Sequence, residues 1–315
     1  MWKSTKQLIL SGGEDENSKS CILVPCIENE ELRKALADGG FPALVGLKEY
    51  FVPFMRSLVS FLETDVGTRQ YHLRVCNFRD PLTNRGTLTP AELAEVLLIP
   101  IKMSSFLKND DALLAQLKQG IALLGEETDN TGDPLESMMD RAIGYGFYIF
   151  VVGVVSDSSG PQAPRAPALE DIDTKIEYVD KQGRAVKVPL TQRECMTAEG
   201  KLCRAFIDAQ GRPKLVSTCN RFVRRQTELS DDELFELWSL PFNPPGDSAE
   251  ASPTLEYVDC RLNCGRFQNI AHLHLKVGFL QDEFNKKYGD IVNILKGGSQ
   301  ETTTMDELRE LMELM

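Results

Sequence analysis

Ala271-His272-Leu273-His274-Leu275-Lys276-Val277 alternates strictly between apolar and basic side chains. Successive side chains of a β-strand point to opposite faces, so the pattern predicts a strand with Ala271, Leu273, Leu275 and Val277 directed at a core. His272, His274 and Lys276 then line the other face, each about 7 Å from the next at the strand rise. The chain has 315 residues but only 3 histidines, so two on one strand face weigh toward chemistry over a solvated polar face. The third, His72, stands between Tyr71 and Leu73 and reads as a structural histidine.

The surrounding residues continue the alternation. Lys175 to Val179 and Ala185 to Val188 flank Asp180-Lys181-Gln182-Gly183, a hairpin signal, and Cys203 to Asp208 and Lys214 to Thr218 form a second. Ser230-Asp231-Asp232-Glu233 is a capping box that starts a helix through Trp238. Tyr257 to Leu262 and Ala271 to Val277 supply the last two strands. The expectation is an α+β domain over 171–295, with an antiparallel sheet of five or six strands plus helices. A Pro/Ser-rich stretch, 156–170, reads as a linker to a mainly helical N-terminal domain, 1–155. There the helical signals are Asn29 to Leu36 closed by Gly39-Gly40, an apolar run over 43–63 with Pro53 in it, Thr89-Pro90-Ala91-Glu92, and Leu113 to Leu124. Gly144 to Val155 reads as its strand. The tail, 296–315, reads as an acidic amphipathic helix with Met305, Leu308, Leu311, Met312 and Met315 on one side.

Charge narrows the function. Lys and Arg total 35 against 47 Asp and Glu, a net charge of −12, which argues against nonspecific nucleic-acid binding. A phosphate-bearing ligand needs a locally basic site, and Arg261, Arg266 and Lys276 bracket the histidine strand, with Arg221, Arg224 and Arg225 as a second cluster. The most apolar run, Phe147 to Val155, is about half the ~20 residues of a membrane helix, so no membrane association is expected. The first residues lack the long apolar core of a signal peptide, and 8 cysteines are too few for a disulfide scaffold. The expected location is cytoplasmic, with nuclear as the alternative, and the thiols reduced. A zinc site from Cys260, Cys264, His272 and His274 is disfavoured by the ~7 Å separation of the histidines, so no metal or other cofactor is expected.

His272-Leu273-His274-Leu275-Lys276-Val277-Gly278 resembles the signature of the histidine triad (HIT-like) superfamily, His-φ-His-φ-His-φ-φ on the last strand of the sheet. Gln268, four residues before His272, is similar to the family's glutamine, and Asn263-Cys264-Gly265 resembles its Asn-x-Gly turn. Leu215 to Arg225, followed by Glu228 to Leu234, resembles its strand, basic turn and helix start, and Arg204 to Asp208 its apolar-Asp strand. The resemblance spans roughly 172–295. Lys276 replaces the third histidine, Phe267 stands where a small residue is usual, and the loop between Gly265 and Gln268 is about one residue short.

The resemblance implies nucleophilic attack by His274 on the α-phosphorus of a nucleotide or nucleotide conjugate, by a hydrolase or nucleotidyltransferase. His272 would orient it and contact phosphate, and Gln268 would lie near the bridging oxygen. Lys276, Arg266 and Asn263 would bind substrate. Imidazole suits this role because its neutral form offers a lone pair near pH 7 while the other nitrogen is held by a hydrogen bond. The alternative is a catalytically degenerate fold kept as a nucleotide-binding or scaffold module, with protein partners on the N-terminal domain or the C-terminal helix. A homodimer paired through its sheets is compatible with either.

Overall fold

A computed structural model of the chain describes residues 8–11, 18–65, 67–78, 141–154, 174–179, 185–190, 196–208, 211–242, 255–268 and 272–295. Its contacts divide the chain into two units, Met1–Pro161 with Asn263–Phe267, and Gln162–Leu262 with Gln268–Met315. No helix among the described residues is long and apolar enough to cross a membrane.

In the first unit the apolar run becomes strand β4 (Phe147–Val154), with Phe147 to Val152 all buried. It lies between β2 (Ser18–Leu23) and β3 (Gln70–Asn77), and β1 (Leu8–Ser11) pairs with β2, all antiparallel, in the order β1-β2-β4-β3. Helices α1 (Glu30–Gly46) and α2 (Lys48–Ser60) bring Phe41 and Phe54 onto Phe147, with ring centroids 5.2 and 6.4 Å away. The Asn29 side chain caps α1 by accepting from the Leu32 N–H at 2.9 Å. The glycine stop is real: Gly40 has φ 64°, which breaks the helical backbone before Pro42 resumes it.

As far as it is described, this unit combines those helices with four antiparallel strands, of which only β4 was expected. Strand β3 escaped detection because Arg74 and His72 sit buried in it, at 0% and 3% exposure, which erases the alternation a half-buried strand shows. The helical signals at Thr89 and over Leu113 to Leu124 lie outside the described residues, as do the 156–170 linker and the 296–315 tail.

The second unit is built on β7 (Met196–Glu199), β8 (Cys203–Ile207), β9 (Lys214–Cys219), β10 (Tyr257–Asn263) and β11 (His274–Phe279), in the order β10-β11-β9-β8-β7. All neighbours are antiparallel. The hairpin of β5 (Thr174–Val179) and β6 (Ala185–Leu190) forms as expected but makes its own two-stranded sheet. The unanticipated β7 pairs with β8, so the strands in the sheet are not those expected.

One face of this sheet is apolar. Leu275 and Val277 of β11, Leu215 of β9, Cys203 and Ala205 of β8 and Cys260 of β10 are each 0% exposed. Helix α3 (Asp231–Ser239) packs on β8, β9 and β11 with Leu234, Leu237 and Trp238 buried. Its start is the expected capping box: the Glu233 N–H donates to Ser230 Oγ at 3.2 Å, and the Ser230 N–H donates to the Glu233 carboxylate at 2.8 Å. Helix α4 (Gln281–Leu295) buries Phe284, Tyr288 and Val292 at four-residue spacing, and Phe284 stacks on Phe279 at 6.0 Å. Burying a side chain such as Leu275 contributes roughly 1.5–3 kcal/mol, so this face holds the strands in register. The other face carries His274 and Lys276 of β11, Thr218 and Val216 of β9 and Arg261 of β10.

Candidate functional site

The expected strand starts three residues later than the alternation suggested, at His274, and residues 272–273 are tied down from outside the strand. Thr218 Oγ1 donates to the Leu273 carbonyl at 3.1 Å, and the Leu273 N–H donates to the Val223 carbonyl at 2.6 Å. His272 Nε2–H donates to the Cys219 carbonyl at 3.0 Å, which requires the proton on that nitrogen because a carbonyl only accepts. The His272 ring lies 5.5 Å from Phe222, over which Arg224 in turn sits at 5.6 Å. His272 is 1% exposed, and its Nδ1 is buried with no partner among the described residues. Burial lowers its pKa and Arg204 adds to that, while the bond to Cys219 opposes.

His274 is positioned by the residue before last. Its Nδ1–H donates to the backbone carbonyl of His272 at 2.9 Å, so in the neutral ring Nε2 carries the lone pair. Burial, then the charge of Lys276, press its pKa down to about 4 against the effect of that hydrogen bond. The ring is therefore neutral at pH 7, with one nitrogen anchored and the other basic. It is the carbonyl of His272, not its imidazole, that orients His274.

Lys276 lies opposite Arg261 on β10 and Val216 on β9, one row along the same face as His274. Gln268 is buried, and its Nε2–H donates to the Arg224 carbonyl at 3.2 Å, which links it to the turn carrying Phe222. Asn263 ends β10 in the segment that belongs to the first unit, and there its Oδ1 accepts from His72 Nδ1–H at 2.5 Å. His72 is thus hydrogen-bonded and buried. Arg266 sits in the single turn Gly265–Phe267; its side chain lies outside what is described.

The second basic cluster serves partly as structure. Arg221 clamps Glu233 at 2.5 and 2.7 Å, and that pairing pulls the Glu233 carboxyl down to about 2. Thr218 and Phe222, which secure the histidine segment, carry no sequence signal beyond their place in a strand and turn. Among the described residues no group of three or more His, Cys, Asp or Glu side chains is arranged to hold a metal ion.

No protein-family model and no curated protein matches this chain. Among solved structures it is similar to a uridylyltransferase mutant, at 11% identity and TM-score 0.36 over 94% of this chain and 77% of that one. It is also similar to a uridylyltransferase at 11% identity and TM-score 0.35, over 94% of this chain and 74% of that one. Likeness at this level establishes neither a shared fold nor a shared activity.

Proposed function

We propose that His274 is the nucleophile of a nucleotidyl-transfer reaction on a nucleotide or nucleotide conjugate. The observation that carries this reading is the bond from His274 Nδ1–H to the His272 carbonyl, which leaves Nε2 with the lone pair. Nε2 attacks the α-phosphorus, the P–O bond to the leaving group breaks, and its electron pair departs on that oxygen. As the N–P bond forms, positive charge develops on the ring, and the Nδ1–H···O=C bond strengthens in the transition state relative to the ground state. An acceptor oxygen then attacks the phosphorus, the P–N pair returns to Nε2, and the acceptor's proton goes to solvent. Water as acceptor makes the protein a hydrolase; another hydroxyl or phosphate makes it a transferase.

In this reading His272 positions the nucleophile through its carbonyl, and its own ring holds that carbonyl in place through Cys219. Gln268 spends one amide N–H on Arg224, so its other can meet the bridging oxygen. Lys276 meets phosphate oxygens as a cation.

The test is incubation with a panel of adenosine and guanosine conjugates, followed by mass spectrometry for a nucleotidyl adduct or released monophosphate. Wild type forms the adduct and His274→Ala does not; identical behaviour of the two on every substrate removes the reading. A second reading, a nucleotide-binding module without turnover, is favoured by the burial of both histidine rings. It expects nucleotides to raise the melting temperature with no adduct and no product.

A further inference from the structure

The sheet face that carries His274 continues past it, and its next two rows hold an excess of positive charge. One row is Arg261, Lys276 and Val216; the next is Asp259, Gly278 and Lys214. Directly opposed residues of an antiparallel pair share a face, with Cβ atoms about 4.5–5.5 Å apart. Arg261 chelates Asp259 at 2.5 and 3.1 Å, and Arg212, just before β9, chelates Asp208 at 3.1 and 2.7 Å. The two aspartates, Asp259 and Asp208, are 0% and 5% exposed, and each is paired with an arginine. Lys214 and Lys276 make no hydrogen bond or ion pair with a carboxylate among the described residues, although both are only partly exposed.

Among the described residues four cations thus stand against these two carboxylates, and each lysine is destabilised in its charged form. Burial lowers Lys276 with Arg212 and Arg261 adding and Asp208 opposing; burial with Arg261 and Arg212 brings Lys214 down to about 8, against Asp208 and Asp259. Clustered cations removed from water are relieved by a bound anion, and a dianion matches the net charge. Gly278 keeps the floor between Lys214 and Asp259 open: a Cβ there would stand 3.0 Å from Asp259 Oδ1.

We propose that Lys214, Lys276, Arg212 and Arg261 form a subsite for a phosphate monoester dianion, about 7–13 Å along the sheet from His274 at the strand rise. What the phosphate does there rests on the reading of His274 as the nucleotidyl-transfer centre. It is either the far phosphate of a polyphosphate leaving group or a separate acceptor. As acceptor, its oxygen attacks the nucleotidyl-His274 phosphorus, the P–N bond breaks with its electron pair returning to Nε2, and a nucleotide with one more phosphate leaves.

The test is calorimetric titration of the full chain with inorganic phosphate. Wild type binds saturably, and Lys214→Gln with Lys276→Gln weakens binding at least tenfold while circular dichroism stays native. Arginine at both positions restores it, and the exposed Lys286→Gln leaves it unchanged. Absent binding in wild type, or equal binding in the double glutamine variant, overturns the subsite. Two arms separate the sources, and either supports the subsite. Selective loss of nucleoside triphosphate over monophosphate binding in the double variant assigns the leaving group; nucleoside diphosphate formed only when phosphate is added assigns the acceptor. Phosphate binding with no adduct at His274 keeps the subsite and removes the nucleotidyl reading, and an adduct without phosphate binding does the reverse.

Discussion

The tautomer and pKa of His274 can be tested through stability alone, with no knowledge of substrate. Its ring is held neutral in the folded chain at a pKa of about 4, against an ordinary value of 6.5 in the unfolded one. Above pH 6.5 both states are neutral and the full stability is present. Below it the unfolded chain takes up a proton that the folded chain refuses, so stability falls with decreasing pH until the folded ring protonates near 4. The separation amounts to about 3 kcal/mol over that window, with a slope approaching 1.4 kcal/mol per pH unit. His274→Gln removes the titration while keeping a polar side chain of similar reach. His272 also has a lowered pKa, but it is common to both proteins and largely cancels in the difference. Urea unfolding of both proteins from about pH 7 to pH 4.5 gives the difference curve, and long-range proton–nitrogen NMR of the imidazoles gives the tautomer. For the resonances lost in His274→Gln, the expected spectrum has a protonated Nδ1 and a bare Nε2. A flat difference curve, a His274 ring titrating near 6.5, or a proton on His274 Nε2 at neutral pH would refute the assignment.

Three further outcomes follow from the packing. Ser230→Ala removes the acceptor for the Glu233 N–H at the start of α3 and costs about 1 kcal/mol in chemical denaturation. Gly265→Ala forces a side chain onto a residue with φ +65° and brings a Cβ to 2.6 Å from Gln70 Cγ, so a cost of about 2 kcal/mol and a lower melting temperature are expected. Asn263→Ala takes away the Oδ1 that His72 Nδ1–H donates to, which costs about 1–3 kcal/mol; an unchanged melting temperature would show that water replaces it without loss.

Much of the second unit was legible in order along the chain. The capping box at Ser230, the turn residues between alternating runs, and the 2-residue period through Leu275 and Val277 each depend on neighbours a few positions apart, where local geometry dominates. Which strands meet was not legible. The 174–190 hairpin stands apart and Met196–Glu199 takes the edge beside β8, because pairing is decided by contacts between distant segments. In the first unit, β3 was hidden because its buried positions include a histidine and an arginine, whose partners lie far away in sequence.

The same division runs through the candidate site. Sequence alone determined that two of three histidines lie two residues apart beside a lysine, on a segment with strand periodicity. Only tertiary structure decided that His272 is anchored by Cys219, fifty-three residues upstream, and that its carbonyl chooses the tautomer of His274. Tertiary structure likewise put Lys214 and Arg261, from two different strands, on either side of the β11 face with Lys276. A side chain's type and spacing are written in the chain. Its protonation state and its neighbours depend on what the fold buries around it.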